Sequence, residues 1–153
     1  MAITALIGLD VGDRRIGVAA SDGLGWTAQG LPTIERRKPD EDLDRIIGLI
    51  RERGASTLVV GLPRNMDGSL GFQGEKVRSF VEGLLQRMRE TGFAAPEVAY
   101  WDERLTTAAA NRTLLEADVS RKKRKGAVDK LAAVFILQGY MDREAGRKKE
   151  SEA

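Results

Sequence analysis

At 153 residues, with 42% hydrophobic and 31% charged residues, the chain has the size and composition of one globular domain. It contains neither cysteine nor histidine, which excludes disulfides, thiol nucleophiles, histidine-ligated zinc and catalysis by an imidazole base. An enzyme of this composition must use carboxylates, lysines or water activated by a metal ion. No segment approaches the roughly 18 apolar residues of a membrane span, and no signal peptide is evident. We therefore expect a cytoplasmic protein with no membrane partner.

The net charge of +2 is unevenly distributed along the chain. Between Arg112 and Lys130, seven cations accompany three acids, so this segment carries +4 and the remainder carries −2. Five of those cations are consecutive, from Arg121 to Lys125. A basic segment in an otherwise slightly acidic chain indicates a polyanionic partner such as nucleic acid.

The first predicted strand is the apolar run that begins at Ala5 and is interrupted by an acid, Asp10. Its period of two places Leu6, Gly8 and Asp10 on one face and the alternate residues on the other. A turn at Gly12 and Asp13 leads into a second apolar run, residues 15–21, which predicts a hairpin. Asp10 is then either a carboxylate at the edge of a buried sheet or simply the residue that begins the turn. This segment alone does not decide between the two.

The remaining elements follow from apolar periodicity and from glycine and proline positions. We predict strands at 26–34, 57–61 and 97–101, and helices at 39–53, from about 74 to 91, at 106–117 and at about 127–144. This order predicts an α/β fold with a five-stranded mixed sheet, three antiparallel strands then two parallel, flanked by helices. It is the ribonuclease H-like arrangement. We expect a single domain over residues 1–145 and a disordered polar tail at 146–153.

Carboxylates occur at three places beside this predicted sheet. Besides Asp10, the pair Asp102 and Glu103 follows the fifth strand, at the edge where open α/β sheets bind ligands. Asp129 lies in the first turn of the last helix, in register with apolar residues at Ala132, Ala133 and Ile136. Each acid could instead cap a turn or helix or pair with a neighbouring cation. Together, and without histidine, they favour a site for Mg²⁺ or Mn²⁺ that hydrolyses phosphodiesters.

Four segments of the chain resemble the YqgF/RuvX family of Holliday junction resolvases, also described as pre-16S rRNA nucleases. They read I-G-L-D-V-G-D-R-R-I-G-V from Ile7, V-V-G-L-P-R-N-M-D-G-S from Val59, D-E-R-L-T-T from Asp102 and S-R-K-K-R-K-G-A-V-D-K-L-A-A from Ser120. The joint match covers residues 5–142 and is far more specific than any one segment.

The resemblance implies a ribonuclease H-like fold and a metal-dependent endonuclease. It assigns the catalytic and metal-binding acids to Asp10, Glu103 and Asp129, and so selects Glu103 over Asp102. The loop after Asp67 departs from the family pattern, since Leu70 and Phe72 stand where an acid and a proline are expected.

For nucleic-acid binding, the candidates are the basic run and two residues near the active edge: Arg121, Lys122, Lys123, Arg124, Lys125, Arg104 and Asn65. Cations beside a cluster of carboxylates would hold substrate phosphates and offset the repulsion of a polyanion. The alternatives are a solvated basic loop, an Arg104 that only pairs with an acid, and an Asn65 that only shapes a strand–helix turn.

The leading hypothesis is a nuclease that processes the 5′ end of pre-16S rRNA, acting as a monomer or weak homodimer. Resolution of a four-way DNA junction is the alternative substrate. It needs two symmetric cuts and therefore a dimer, for which the sequence shows no clear face. An ATP-binding protein is a further alternative, because residues 7–17 also resemble a phosphate motif of actin-like ATPases, but 153 residues leave no second lobe. A non-catalytic RNA-binding assembly factor with purely structural acids is the third.

Overall fold

The computed structural model describes residues 5–103 and 121–152, with side chains over 5–103 and 130–147. Five strands are present: β1 (Ala5–Val11), β2 (Arg15–Ser21), β3 (Ala28–Glu35), β4 (Ala55–Leu62) and β5 (Glu97–Asp102). Three helices accompany them: α1 (Pro39–Arg53), α2 (Phe72–Glu90) and α3 (Arg121–Glu152). The helix predicted at 106–117 lies outside the described residues.

The strands form a single sheet in the order β3-β2-β1-β4-β5. Strand β1 pairs antiparallel with β2 and parallel with β4, while β2 pairs antiparallel with β3 and β4 parallel with β5. The predicted mixed sheet of three antiparallel and two parallel strands is therefore confirmed. The C-terminal ends of β1, β4 and β5 meet at one edge of the sheet, which brings their last residues together.

Helices cover both faces of the sheet, and the alternation of side chains along β1 decides which residues each face receives. Ile7 and Leu9 are buried against α1 and α2. Leu6 packs on the opposite face, against α3. Gly8 also belongs to the α3 face, because a Cβ there would lie 2.8 Å from the Cβ of Leu137. The two faces predicted from the sequence are thus confirmed.

The third strand and the last helix differ in extent from the prediction. Strand β3 begins at Ala28 because residues 22–27 form a turn, in which the carboxylate of Asp22 accepts hydrogen bonds from the Trp26 N–H and the Thr27 hydroxyl. Helix α3 already begins at Arg121, so the basic run 121–125 is helical and the prediction of a loop is wrong. Lysine and arginine are good helix formers, and a helix stabilised by packing further along extends readily through them.

The expected disordered tail is also helical as far as Glu152. Its alanine, glutamate, lysine and arginine residues favour helix, and Arg147 pairs with Glu144 one turn earlier at 3.3 Å. Among the helices that the structure describes, none combines the length and apolarity needed to cross a membrane.

Candidate active site

Asp10 lies near the C-terminal end of β1, with its side chain on the α3 face of the sheet. Its partner across the antiparallel pair is Gly17, which leaves the space beside it free of a neighbouring side chain. Burial raises the pKa of the Asp10 carboxyl to about 9, and a hydrogen bond with Glu103 and the charge of that residue act in the same direction. Without a cation beside it, Asp10 is therefore protonated at neutral pH.

Glu103 reaches this position because the pairing of β5 with β4 continues one residue beyond the strand. Its backbone N–H donates to the carbonyl of Leu62 at 3.2 Å. Asp102 pairs with Leu62, whose side chain belongs to the core under α1 and α2. Because side chains alternate along a strand, Asp102 is directed to that face and Glu103 to the α3 face. Of the two neighbouring acids, the structure thus brings Glu103 to Asp10.

Gly61 lies beside the carboxyl of Glu103, on the strand that separates Asp10 from Glu103. Strand β4 lies between β1 and β5, and Gly61 pairs with Trp101 of β5 and follows Val60, the partner of Leu9 in β1. A Cβ on Gly61 would lie 3.4 Å from the carboxyl carbon of Glu103 and would overlap the Cδ1 atom of Ile136 from α3. The absence of a side chain at Gly61 therefore leaves room for the Glu103 carboxyl on the α3 face. The sequence interpretation missed this role, although a glycine near the end of a buried strand often marks such a close approach.

Asp129 lies in the part of α3 for which the backbone is described but the side chains are not. The next turn of α3 lies against β1, since the carbonyl oxygen of Ala133 would be 3.2 Å from a Cβ at Gly8. Asp129 lies four residues, about one turn, before Ala133, which is the spacing used in the sequence prediction. Among the described side chains, no group of three potential metal ligands converges. The structure therefore brings two of the three predicted acids together, and the assignment of Asp129 remains a prediction.

The predicted nucleic-acid-binding residues are not brought to these acids by any described contact. Asn65 belongs to a turn in which its N–H bonds the Ser69 carbonyl at 2.9 Å and its side-chain amide donates to the Ser69 hydroxyl at 3.0 Å. These contacts give Asn65 a role in shaping the loop. The cations of residues 121–125 lie on the first turns of α3, and Arg104 lies outside the described residues.

The donors at Asp10 and Glu103 fit a hard divalent cation. Both are carboxylates in a partly buried position, and no ion pair described for residues 5–103 and 130–147 balances their charge. The raised pKa of Asp10 favours its protonated form, which lessens the repulsion between the two groups. A divalent cation such as Mg²⁺ or Mn²⁺, which prefers oxygen ligands, would do so while both groups are ionised.

Comparisons with known proteins agree with this architecture. The model of the RuvX family, described as Holliday junction resolvase, matches residues 4–143. A relative from Halothermothrix orenii is 56% identical over 137 residues, covering 90% of this chain and 94% of the relative. One from Halalkalibacterium halodurans is 52% identical over 140 residues, covering 90% and 96%. Both carry the provisional name pre-16S rRNA nuclease.

Solved structures of low sequence identity share the fold. RuvC of Thermus thermophilus, in complex with a Holliday junction substrate, matches with a TM-score of 0.57 and 14% identity, covering 94% of this chain and 97% of RuvC. The yeast mitochondrial Holliday junction resolvase Ydc2 matches with a TM-score of 0.55 and 11% identity, covering 95% and 81%. By its sequence, the chain belongs to the RuvX family of nucleases, and its fold is that of the ribonuclease H-like resolvases.

Proposed function

We propose that this protein is a divalent-metal-dependent endonuclease that hydrolyses phosphodiesters in structured nucleic acid. The observation that carries the proposal is the partly buried pair of Asp10 and Glu103, which are hydrogen-bonded to each other at the active edge of the sheet, beside Gly61. Membership in a nuclease family supports hydrolysis of nucleic acid. Holding two partly buried carboxylates in contact is unfavourable for the fold alone, which supports a functional reason for the pair.

In this proposal, Asp10 and Glu103 hold Mg²⁺ or Mn²⁺, and Asp129 is the third ligand. A cation held there supplies Lewis acidity, which lowers the pKa of water and stabilises negative charge on the phosphodiester. The chain's own contribution is to fix the two carboxylates. Glu103 is anchored by its backbone bond to Leu62, and Asp10 is held within the central strand of the sheet.

We further propose that the substrate is precursor 16S rRNA, cut at its 5′ side in the cytoplasm by a monomer or weak homodimer. The provisional names of relatives more than 50% identical over 90% of the chain support this choice. The description of the family model instead favours a four-way DNA junction, which is the second candidate. A non-catalytic RNA-binding assembly factor is the third, and it requires that the acids be structural.

The test is incubation of the purified protein with Mn²⁺ and labelled pre-16S rRNA fragments, single strands and four-way junctions. Cleavage of the rRNA fragments alone supports the first substrate, and paired symmetric cuts in the junction support the second. Binding without cleavage of any substrate, unaffected by Mn²⁺, would overturn the nuclease proposal in favour of the assembly factor.

A further inference from the structure

A cleft lies at the same edge of the sheet as Asp10 but on the α1/α2 face. It has a volume of about 960 Å³ and is enclosed by residues 11–14, 35–37 and the first turns of α2 at 72–80. We call it the turn cleft. Val11, which follows Asp10 directly, lines it and packs against the α1/α2 core. A nucleic-acid strand leaving the carboxylates around this edge would therefore enter the turn cleft.

The floor of the turn cleft is held by a buried ion pair. Asp42 is only 1% exposed, and its carboxylate accepts hydrogen bonds from the Arg36 side chain at 3.3 Å and the Arg37 N–H at 3.0 Å. The guanidinium of Arg36 also donates to the carbonyl of Gly12 at 2.9 Å, which fixes the β1–β2 turn. The cleft is thus formed by a network of bonds before any ligand arrives.

The rim of the turn cleft carries cations that are available to a ligand. Arg14 and Arg37 are exposed, and their guanidinium groups make no ion pair with the side chains described at 5–103 and 130–147. Three of the four acids in the lining are already bonded to a cation: Asp13 to Lys76, Glu35 to Arg15 and Asp42 to Arg36. Outside these three pairs the lining holds Arg14, Arg37 and Glu75, a net charge of +1, which favours an anionic ligand.

An aromatic ring stands at the mouth of the same cleft. Phe72 is 77% exposed, and the Lys76 ammonium lies 4.6 Å from the centre of its ring. A small anion would not need the ring, and an apolar ligand would not need the arginines. Cations combined with an exposed aromatic side chain are what single-stranded nucleic acid requires, since phosphates bind the cations and bases stack on the ring.

We propose that the turn cleft binds a single-stranded flank of the nucleic-acid substrate, with backbone phosphates at Arg14 and Arg37 and one base stacked on Phe72. The proposal rests on the proposed nuclease function, but it concerns binding outside the carboxylate pair. The substrate is then a duplex or folded region with a single-stranded extension. The folded region lies at the carboxylates on the α3 face, and the extension lies in the turn cleft on the α1/α2 face of the same edge.

The test is fluorescence anisotropy in EDTA, so that no cleavage occurs, with a labelled RNA duplex that carries a single-stranded overhang and with its blunt counterpart. Replacing Arg14 and Arg37 by Gln should flatten the slope of log affinity against log salt by about 1.4 for the overhang substrate, at roughly 0.7 for each lost phosphate contact. Phe72→Leu should weaken binding of that substrate about fivefold or more. The blunt duplex should bind all of these proteins alike.

The matched control is Arg53→Gln with Arg89→Gln, which removes the same charge from exposed positions at the opposite ends of α1 and α2. It should leave the salt slope unchanged. Equal effects of the control and cleft variants, or equal losses for blunt and overhang substrates, would overturn the assignment while leaving the nuclease proposal standing. Displacement of the overhang by AMP at equal nucleotide concentration would show a free-nucleotide site and also overturn it. If the wild-type protein binds neither substrate, the proposed function itself fails.

Discussion

Replacing Gly61 by alanine tests whether the space beside the Glu103 carboxyl is required. The new methyl group would overlap Cδ1 of Ile136 and lie 3.4 Å from the carboxyl carbon of Glu103. The backbone itself tolerates alanine, because Gly61 is not among the glycines with positive φ. The cost therefore comes from overpacking, which destabilises a core by about 1–3 kcal/mol. For a domain of this size, that lowers Tm by about 2–12 °C.

The effect on the site is separable from the effect on packing. A methyl group in contact with the Glu103 carboxyl reduces the space for a cation beside it, so we expect Mn²⁺ binding and cleavage to weaken by about 10-fold, the usual effect of disturbing the groups around a metal ligand. Ile136→Val removes the overlapping methyl group, so the Gly61→Ala/Ile136→Val double variant should recover much of the lost stability. It should not recover Mn²⁺ affinity, because the methyl group still contacts the Glu103 carboxyl.

The assays are thermal unfolding, Mn²⁺ titration and cleavage of a pre-16S rRNA fragment, applied to the wild type, both Gly61 variants and a control. Gly48→Ala is the matched control, since Gly48 lies exposed in α1 with open space around its position. It should raise stability by about 0.5–1 kcal/mol and leave cleavage unchanged. A Gly61→Ala protein that binds Mn²⁺ and cuts RNA like the wild type would refute the role of Gly61 in leaving room at the Glu103 carboxyl.

Three further predictions concern the charged residues. Asp10→Asn should stabilise the metal-free protein, and the gain should increase between about pH 4 and pH 9. The reason is that the raised pKa of Asp10 in the fold makes the wild-type free energy of unfolding fall with pH over that window. A constant difference in thermal unfolding across that range would contradict this. Glu103→Gln should abolish most cleavage and Asp102→Asn little, because the two side chains face opposite sides of the sheet; equal losses in a cleavage assay would show that the register is wrong. Changing Lys122, Lys123 and Lys125 to Gln should flatten the salt slope of nucleic-acid affinity by roughly 2, with kcat unchanged, and an unaltered slope would remove these residues from the interface.

The sequence predicts which face of a strand a side chain occupies, because that depends only on alternation along the strand. It does not predict by itself the register between strands that are distant in the sequence. Alternation along β1 identified the face of Asp10, since only a period of two is needed. Periodicity left Asp102 and Glu103 undecided, and the family resemblance selected Glu103. The physical reason is the register of β5 against β4, because a shift of one residue exchanges the two faces. The residue composition alone pointed to carboxylate chemistry, through the absence of histidine.

Two other features were hidden for physical reasons. The role of Gly61 depends on the parallel register that pairs it with Trp101 and so brings it beside Glu103, and nothing adjacent in the sequence encodes that register. The charge of the basic run 121–125 predicts a loop, whereas its lysines and arginines continue a helix that packing stabilises beyond Lys130. Charge indicates exposure to solvent, but it does not distinguish an exposed helix from a loop.

The most direct test of the central claim is Mn²⁺ binding measured by electron paramagnetic resonance, with cleavage of the pre-16S rRNA fragment followed on the same samples. The carboxylate pair predicts that wild-type protein and Asp102→Asn bind Mn²⁺ and cut, and that Asp10→Asn and Glu103→Gln lose both properties together while remaining folded. Undiminished Mn²⁺ binding and cleavage by Asp10→Asn would contradict the claim that this pair is the metal-dependent nuclease site.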